Sequence, residues 1–178
     1  KTLPTGWDQH NGQTCDSDNN ADQISVIGTG NSPYSYSYAP SLSGQFVLCV
    51  SKSKSYPNWT DDFQEAFKQT FTTSGGGSST LSFDWQNIGY ETSGNNNGGW
   101  EYSIQKTSDS SVVDSGSTGL VAASAEKYSF TKTGINLAAG TEYVLILTAS
   151  LPSYSNKRNY LAIDNVSLGL PGPTVSSV

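Results

Sequence analysis

The sequence is poor in the residues that most catalytic and nucleic-acid-binding sites need. Among its 178 residues it has one histidine, two cysteines and no methionine, and only 13% of its residues are charged. Lys and Arg number 9 against 15 Asp and Glu, which gives a net charge of -6. An acidic surface repels the phosphate backbone, and the basic residues form no stripe, so we expect no nucleic-acid partner.

Long apolar runs are absent as well. The densest apolar patch, residues 144–147, is far shorter than the roughly 20 residues of a membrane-spanning helix. It is typical of a buried strand, and we expect no membrane insertion. The chain opens with Lys1-Thr2-Leu3-Pro4 and shows no signal peptide, so we expect a mature or trimmed chain.

What the chain does contain is glycine, small polar residues and aromatic rings. Hydrophobic residues make up 34% and aromatic residues 11%, so the rings must supply much of the core. This composition is typical of β-sandwiches outside the cell, and we expect a secreted or cell-surface protein. We predict one domain over residues 1–170 and a C-terminal tail or linker over 171–178, as a monomeric module of a larger protein.

Short stretches of alternating apolar and polar residues recur between turn residues. About ten such strands and no long helix predict an all-β fold, an antiparallel two-sheet β-sandwich of the jelly-roll type. Residues 141–149 are apolar at both parities, which predicts a central strand. Phe63, Phe67 and Phe71 recur every fourth residue, which fits a helix or a strand. We favour one helical turn that passes into a strand at about residues 66–73.

The strand at residues 160–168 changes its phase. Leu161 and Ile163 point to one face, whereas Val166 and Leu168 have the other parity, so one buried face requires an extra residue. We therefore predict a β-bulge at Asp164-Asn165. Asp164 would either face water at the rim or turn towards a structural cation.

A second group of acids precedes the first apolar strand. Oxygen-bearing side chains at alternate positions resemble the first half of a calcium loop, although the sixth position is Ala21 and the twelfth is Ile27, which excludes an EF-hand. The residues concerned are Asp16, Asp18 and Asp22. Structural calcium held by these residues and Asp164 is one interpretation, and a solvated acidic loop is the other.

The two cysteines, Cys15 and Cys49, favour a disulfide bond in an extracellular domain. The alternative is two buried thiols, because Cys49 lies within an apolar strand. Metal ligation by two cysteines and one distant histidine lacks the spacing of a zinc site.

Aromatic residues around polar loops are the candidates for ligand binding. Tyr90 and Trp100 flank a loop rich in Asn and Gly, and Trp59 and Tyr154 belong to other loops. Aromatic planes stack on pyranose rings while polar groups bond the hydroxyls. The alternative places Trp100 in the core.

Two acids of the strands are further candidates. Asp84 and Glu101 have the parity opposite to the apolar stripe, on strands that could be neighbours. They could contact sugar hydroxyls or, as a weaker interpretation, form the acid/base pair of a glycosidase.

Four segments in order resemble the galactose-binding-like jelly-roll domains of carbohydrate-binding modules and related bacterial surface (PEP-CTERM-type) domains. The likeness covers about residues 40–170 and is carried by Gln69-Thr70-Phe71-Thr72-Thr73, Ser79-Thr80-Leu81-Ser82-Phe83-Asp84-Trp85, Ala139-Gly140-Thr141-Glu142-Tyr143 and Ala162-Ile163-Asp164-Asn165-Val166-Ser167-Leu168. The resemblance implies a non-catalytic module, often with structural calcium, in which Asp164 matches a position that commonly supplies a carboxylate.

We therefore expect a non-catalytic module that binds a polysaccharide or glycan. The alternatives are a structural or adhesive surface domain without a glycan site and, less favoured, a polysaccharide-degrading enzyme.

Overall fold

The computed structural model describes residues 7–9, 23–28, 46–52, 63–89, 97–122, 124, 126–151 and 159–172. In these residues the chain forms strands only. They are β1 (Asp8–Gln9), β2 (Gln23–Gly28), β3 (Phe46–Lys52), β4 (Phe63–Thr72), β5 (Gly77–Gly89), β6 (Asn97–Lys106), β7 (Val112–Ser117), β8 (Val121–Ala122), β9 (Tyr128–Leu137), β10 (Glu142–Leu151) and β11 (Asn159–Gly169). The described residues contain no helix that is long and apolar enough to cross a membrane.

The strands form two antiparallel sheets. The first sheet has the order β1-β4-β10-β6-β7, with β8 paired to β6, and the second has the order β2-β3-β11-β5-β9. The predicted two-sheet β-sandwich is therefore confirmed. Strands β6 and β7 form a hairpin, and its turn is closed by the bond from the Lys106 amide to the Ser111 carbonyl, 3.0 Å.

Strand β10 lies at the centre of the first sheet, as its apolar character at both parities predicts. It pairs with β4 on one side and β6 on the other. Leu145 and Leu147 face the core, and Ile146, on the opposite side, is also buried. The helical turn expected before residue 66 is wrong from Phe63 onward, because β4 begins at Phe63 and pairs with β10 from Leu151.

The core fills the space between the two sheets with aromatic rings and aliphatic side chains. The first sheet contributes Phe67, Trp100, Tyr102 and Leu147, and the second contributes Phe83, Trp85, Leu161 and Ile163, among others. The rings of Phe83 and Trp100 meet edge to face across the sheets, with centroids 4.8 Å apart. Six of the fifteen buried residues of this cluster are aromatic, so the rings share the core with aliphatic side chains.

The two ends of the sandwich differ in their connections. At one end, which we call the turn end, short turns at residues 73–76, 107–111 and 138–141 join the strands. At the other, which we call the loop end, β3, β5 and β10 finish and the strands β4, β6 and β11 begin. The residues that mark the loop end are Lys52, Phe63, Gly89, Asn97, Leu151 and Asn159.

A buried threonine organises the turn end. Thr73 is 1% exposed, and its Oγ1 donates to the Ala138 carbonyl at 2.5 Å. The same oxygen accepts the Thr141 amide at 3.3 Å, and the Tyr143 hydroxyl accepts the Ala138 amide at 2.8 Å. Gly140 has a φ of 63° in the turn between them, a region that glycine adopts without strain. This network gives a physical reason for the Ala-Gly-Thr-Glu-Tyr pattern in the sequence.

Candidate functional site

Three long connections cross between the sheets at the loop end. Residues 53–62 join β3 to β4, residues 90–96 join β5 to β6, and residues 152–158 join β10 to β11. Each leaves one sheet and enters the other, and the strand ends pair side by side, as Asn159 does with both Lys52 and Gly89. The connections that carry Trp59, Tyr90 and Tyr154 are thus anchored at the same end of the sandwich.

Several candidate residues lie outside the described part of the chain, so their predicted roles stay predictions. They are Trp59, Tyr90, Tyr154, Asp16, Asp18, Asp22 and Cys15. Cys49 belongs to β3, where it pairs with Ser25 of β2 and Ala162 of β11. The segment with the three acids connects Gln9 of β1 to Gln23 of β2, and Gln23 pairs with Ser51 near the loop end.

Trp100 is a core residue. Its side chain is 3% exposed, and its indole packs against Phe130 with centroids 4.5 Å apart and against Trp85 with centroids 6.2 Å apart. Trp100 therefore does not form an exposed platform with Tyr90, and the alternative interpretation, which places Trp100 in the core, is confirmed. The reason is the strand parity, which directs Trp100, Tyr102 and Ile104 of β6 inward together.

The acid pair is also separated by the fold. Asp84 belongs to β5 of the second sheet and Glu101 to β6 of the first, so the expectation of neighbouring strands is wrong. Each alternates with residues of the core, which places the two carboxylates on opposite outer surfaces of the sandwich. Because packed sheets lie about 10 Å apart, the separation exceeds the roughly 5 to 9.5 Å of glycosidase carboxyl pairs.

Asp84 is held by neighbours on the outer surface of the second sheet. Its carboxylate accepts the Asn165 side-chain amide at 2.8 Å and the Ser129 hydroxyl at 2.6 Å. These two hydrogen bonds, the first more than the second, hold the pKa of Asp84 below its ordinary value. Both bonds lead to strands beside β5, so Asp84 links three strands of the sheet.

The predicted bulge is present in β11. Asp164 pairs with Asp84 and Ser167 with Ser82, so three residues of β11 advance against two of β5. Asn165 takes a φ of 53°, a left-handed conformation that asparagine adopts more readily than most residues. After the bulge Val166 and Leu168 pack against the core, which restores the buried face.

Asp164 is buried, although it lies on the outer side of the sheet. Only 8% of the residue is exposed, so the interpretation of a rim carboxylate facing water is wrong. Ala162 and Gln86, which share that side and pair with one another, are 0% and 2% exposed. The outer face of the second sheet is therefore covered around Asp164. Among the described residues no three Asp, Glu, His or Cys side chains form a group that could hold a metal ion.

A polar clamp closes the open side of the sandwich between β7 and β9. The Tyr102 hydroxyl donates to Asp114 Oδ2 at 2.9 Å, and Lys132 Nζ lies 3.7 Å from Asp114 Oδ1. Burial, followed by the bond to Asp114, raises the pKa of Tyr102 far above its ordinary value. The clamp joins a strand of each sheet away from the loop end.

The candidates drawn from the sequence omit Tyr128, an aromatic residue that is only partly buried. Tyr128, the first residue of β9, packs against the core while keeping part of its surface open. Its parity with Phe130 could have indicated an inward-facing ring, but only the edge position of β9 explains the remaining exposure.

The turn that follows β7 packs tightly over the start of β6. The Thr118 amide donates to the Trp100 carbonyl at 3.0 Å. A Cβ atom added at Gly99 would overlap the carbonyl of Gly119, so two main chains meet there without a side chain between them. This packing fixes the turn and the short strand β8 beside the loop end.

The chain thus folds as an all-β sandwich of two antiparallel sheets. No family model matches the chain, and no curated protein matches it. Solved structures do match, and they include both binding modules and enzymes.

TmCBM61, solved in complex with β-1,4-galactotriose, is similar over 94% of this chain and 90% of its own, with a TM-score of 0.56 and 11% identity. A cyclase from Fischerella sp. TAU is similar over 97% and 87%, with a TM-score of 0.57 and 17% identity. The enzymatically active domain of bacteriophage CBA120 tailspike protein 4 is similar over 94% of this chain and 20% of its own length, with a TM-score of 0.50 and 14% identity. At these identities the likeness shows the fold alone.

Proposed function

We propose that the protein is a non-catalytic carbohydrate-binding module of a secreted or cell-surface protein. Its glycan site lies at the loop end, where Trp59, Tyr90 and Tyr154 supply stacking surfaces. Neutral polar residues of the same connections, which are rich in Ser and Asn, bond the sugar hydroxyls.

The anchoring of three aromatic-bearing connections at one end of the sandwich supports this proposal above all. The aromatic residues whose burial the structure describes are, in contrast, buried or partly buried against the core. The exposed large hydrophobic side chains in the described residues are Val112, Leu120 and Leu170, which have no aromatic plane. A stacking platform therefore has its best source in the loop-end connections.

The fold of TmCBM61 adds a coarser support, since a chain of this shape holds a galactose oligosaccharide in that protein. The same fold occurs in the Fischerella cyclase, so the fold does not separate a binding module from an enzyme. The wide separation of Asp84 and Glu101 favours the binding module over a glycosidase that would use this pair.

We further propose structural calcium, held by Asp164 together with Asp16, Asp18 and Asp22. Carboxylate oxygens are the ligands that calcium prefers, and it takes six to eight of them. Asp164 is buried and pairs directly with Asp84 between β11 and β5, and two carboxylates in opposite positions favour a bound cation. Bound calcium would tie the acidic segment to the second sheet.

A glycan array tests the site. The wild-type chain is applied in calcium and in chelator, beside Trp59→Ala, Tyr90→Ala and the control Val112→Ala, which alters an exposed residue at the turn end. We expect one glycan class to be retained by the wild type and the control, and weakened by the two loop variants. Absence of glycan binding by the wild type in both conditions would refute the proposal and favour the structural or adhesive role.

A further inference from the structure

Tyr128 is one of four aromatic residues that pack against the core while only partly buried; the others are Trp7, Phe71 and Phe130. The rings of Trp85, Trp100 and Tyr102 are at most 5% exposed, whereas Tyr128 is only partly buried. It lies on β9, the last strand of the second sheet. The ring therefore has a neighbouring strand on one side only.

The position of the ring is fixed from two directions. It stacks on Trp85 with centroids 4.8 Å apart and an interplanar angle of 25°. Its hydroxyl donates to Glu126 Oε2 at 3.1 Å. A ring held in this way loses little conformational freedom when a ligand stacks on its outer face, which favours binding.

The ring lies towards the loop end of the sheet. It pairs with Trp85, four residues before Gly89, where β5 finishes. Two hydrogen bonds join the chain before β9 to Asn87 of β5. The Asn87 side-chain amide donates to the Val121 carbonyl at 2.6 Å, and the Ser124 amide donates to the Asn87 carbonyl at 2.9 Å. These bonds hold the chain before β9 against the strand that leads into residues 90–96.

We propose that Tyr128 is a stacking contact for a pyranose ring and extends the loop-end glycan site onto the β9 side of the sandwich. The exposed carboxylate of Glu126 can accept further hydrogen bonds and would take a sugar hydroxyl beside the ring. The flat, uncharged ring next to one acceptor suits a neutral sugar. This inference rests on the proposed carbohydrate-binding function.

Isothermal titration with the glycan found on the array tests the contact. Tyr128→Leu keeps apolar bulk on Trp85 but removes the aromatic plane, and Tyr128→Phe keeps the plane but removes the hydroxyl. Thr131→Ala alters an exposed residue of the same strand and is the control. Thermal unfolding of each variant verifies that it is folded.

We expect Tyr128→Leu to weaken binding about tenfold and Tyr128→Phe about threefold, in line with the energy of aromatic stacking and of one hydrogen bond. Thr131→Ala should bind as the wild type does. If Tyr128→Leu is folded and binds with unchanged affinity while Trp59→Ala binds weakly, this inference fails and the loop-end site stands. If the wild type binds no glycan, both proposals fail.

Discussion

Replacing Thr73 by valine tests whether a single hydroxyl holds the turn end together. Valine matches the shape of threonine but cannot bond the Ala138 carbonyl or the Thr141 amide, which lie 2.5 and 3.3 Å from Thr73 Oγ1. Thr73 also bonds through its backbone, to the Thr141 carbonyl at 3.1 Å and from the Gly140 amide at 2.8 Å, and those bonds remain. The substitution therefore removes the side-chain contribution alone.

The expected cost follows from the two lost bonds. Each contributes about 1 kcal/mol to stability, so Thr73→Val should lower the free energy of unfolding by about 2 kcal/mol. For a chain of this length that loss corresponds to a fall in Tm of roughly 4 to 8 °C. The residue is 1% exposed, so water does not replace the lost hydroxyl at its own position.

Urea unfolding followed by tryptophan fluorescence measures the change in the free energy of unfolding. An unchanged m-value would show that the substitution alters stability alone. Thr70→Val is the matched control, since Thr70 is an exposed threonine of β4, the strand that precedes Thr73, and should change stability by less than about 0.5 kcal/mol. Combined with Tyr143→Phe, Thr73→Val should be non-additive, because both side chains bond Ala138. Equal stability of Thr73→Val and Thr70→Val would contradict the reasoning.

Three further predictions concern the clamp, the bulge and calcium. The pKa of Tyr102 is raised in the folded chain, so its protonated hydroxyl stabilises the fold fully below a pH of about 10 and less and less above it. In urea unfolding at alkaline pH, the free energy of unfolding should therefore fall more steeply with pH for the wild type than for Tyr102→Phe, and equal slopes would contradict this. Asn165→Ala should be less stable than Asn165→Gly by about 1 kcal/mol in urea, since both lose the bond to Asp84 but only alanine is strained at positive φ, and equal stability would disprove the strain. Calcium at about 100 times its Kd should stabilise the wild type against thermal unfolding by about 2.7 kcal/mol, and it should stabilise Asp164→Asn much less. If neither calcium nor chelator changes the stability of the wild type, the calcium site is refuted.

The sequence predicts the features that depend on neighbouring residues. The bulge follows from the change of parity between Ile163 and Val166, and the central place of β10 follows from its apolar residues at both parities. For Phe63 the local pattern fits both periods. Pairing with Leu151 of β10, which lies far along the chain, decides for a strand.

Features that depend on the arrangement of the sheets could not be predicted in this way. Strands β5 and β6 follow one another, and the sequence does not show that the connection between them crosses to the other sheet. That crossing separates Asp84 from Glu101. Likewise, the inward direction of Trp100 and the burial of Asp164 depend on what covers each face, which local alternation does not reveal.

The contact between the main chains of Gly99 and Gly119 limits how this protein can be altered. Any larger residue at position 99 should lower stability, because its Cβ would overlap the carbonyl of Gly119 and force the neighbouring turn to move. New ligand preferences are therefore better sought by varying residues 53–62, 90–96 and 152–158, whose lengths and side chains can change while the strands that anchor them stay fixed.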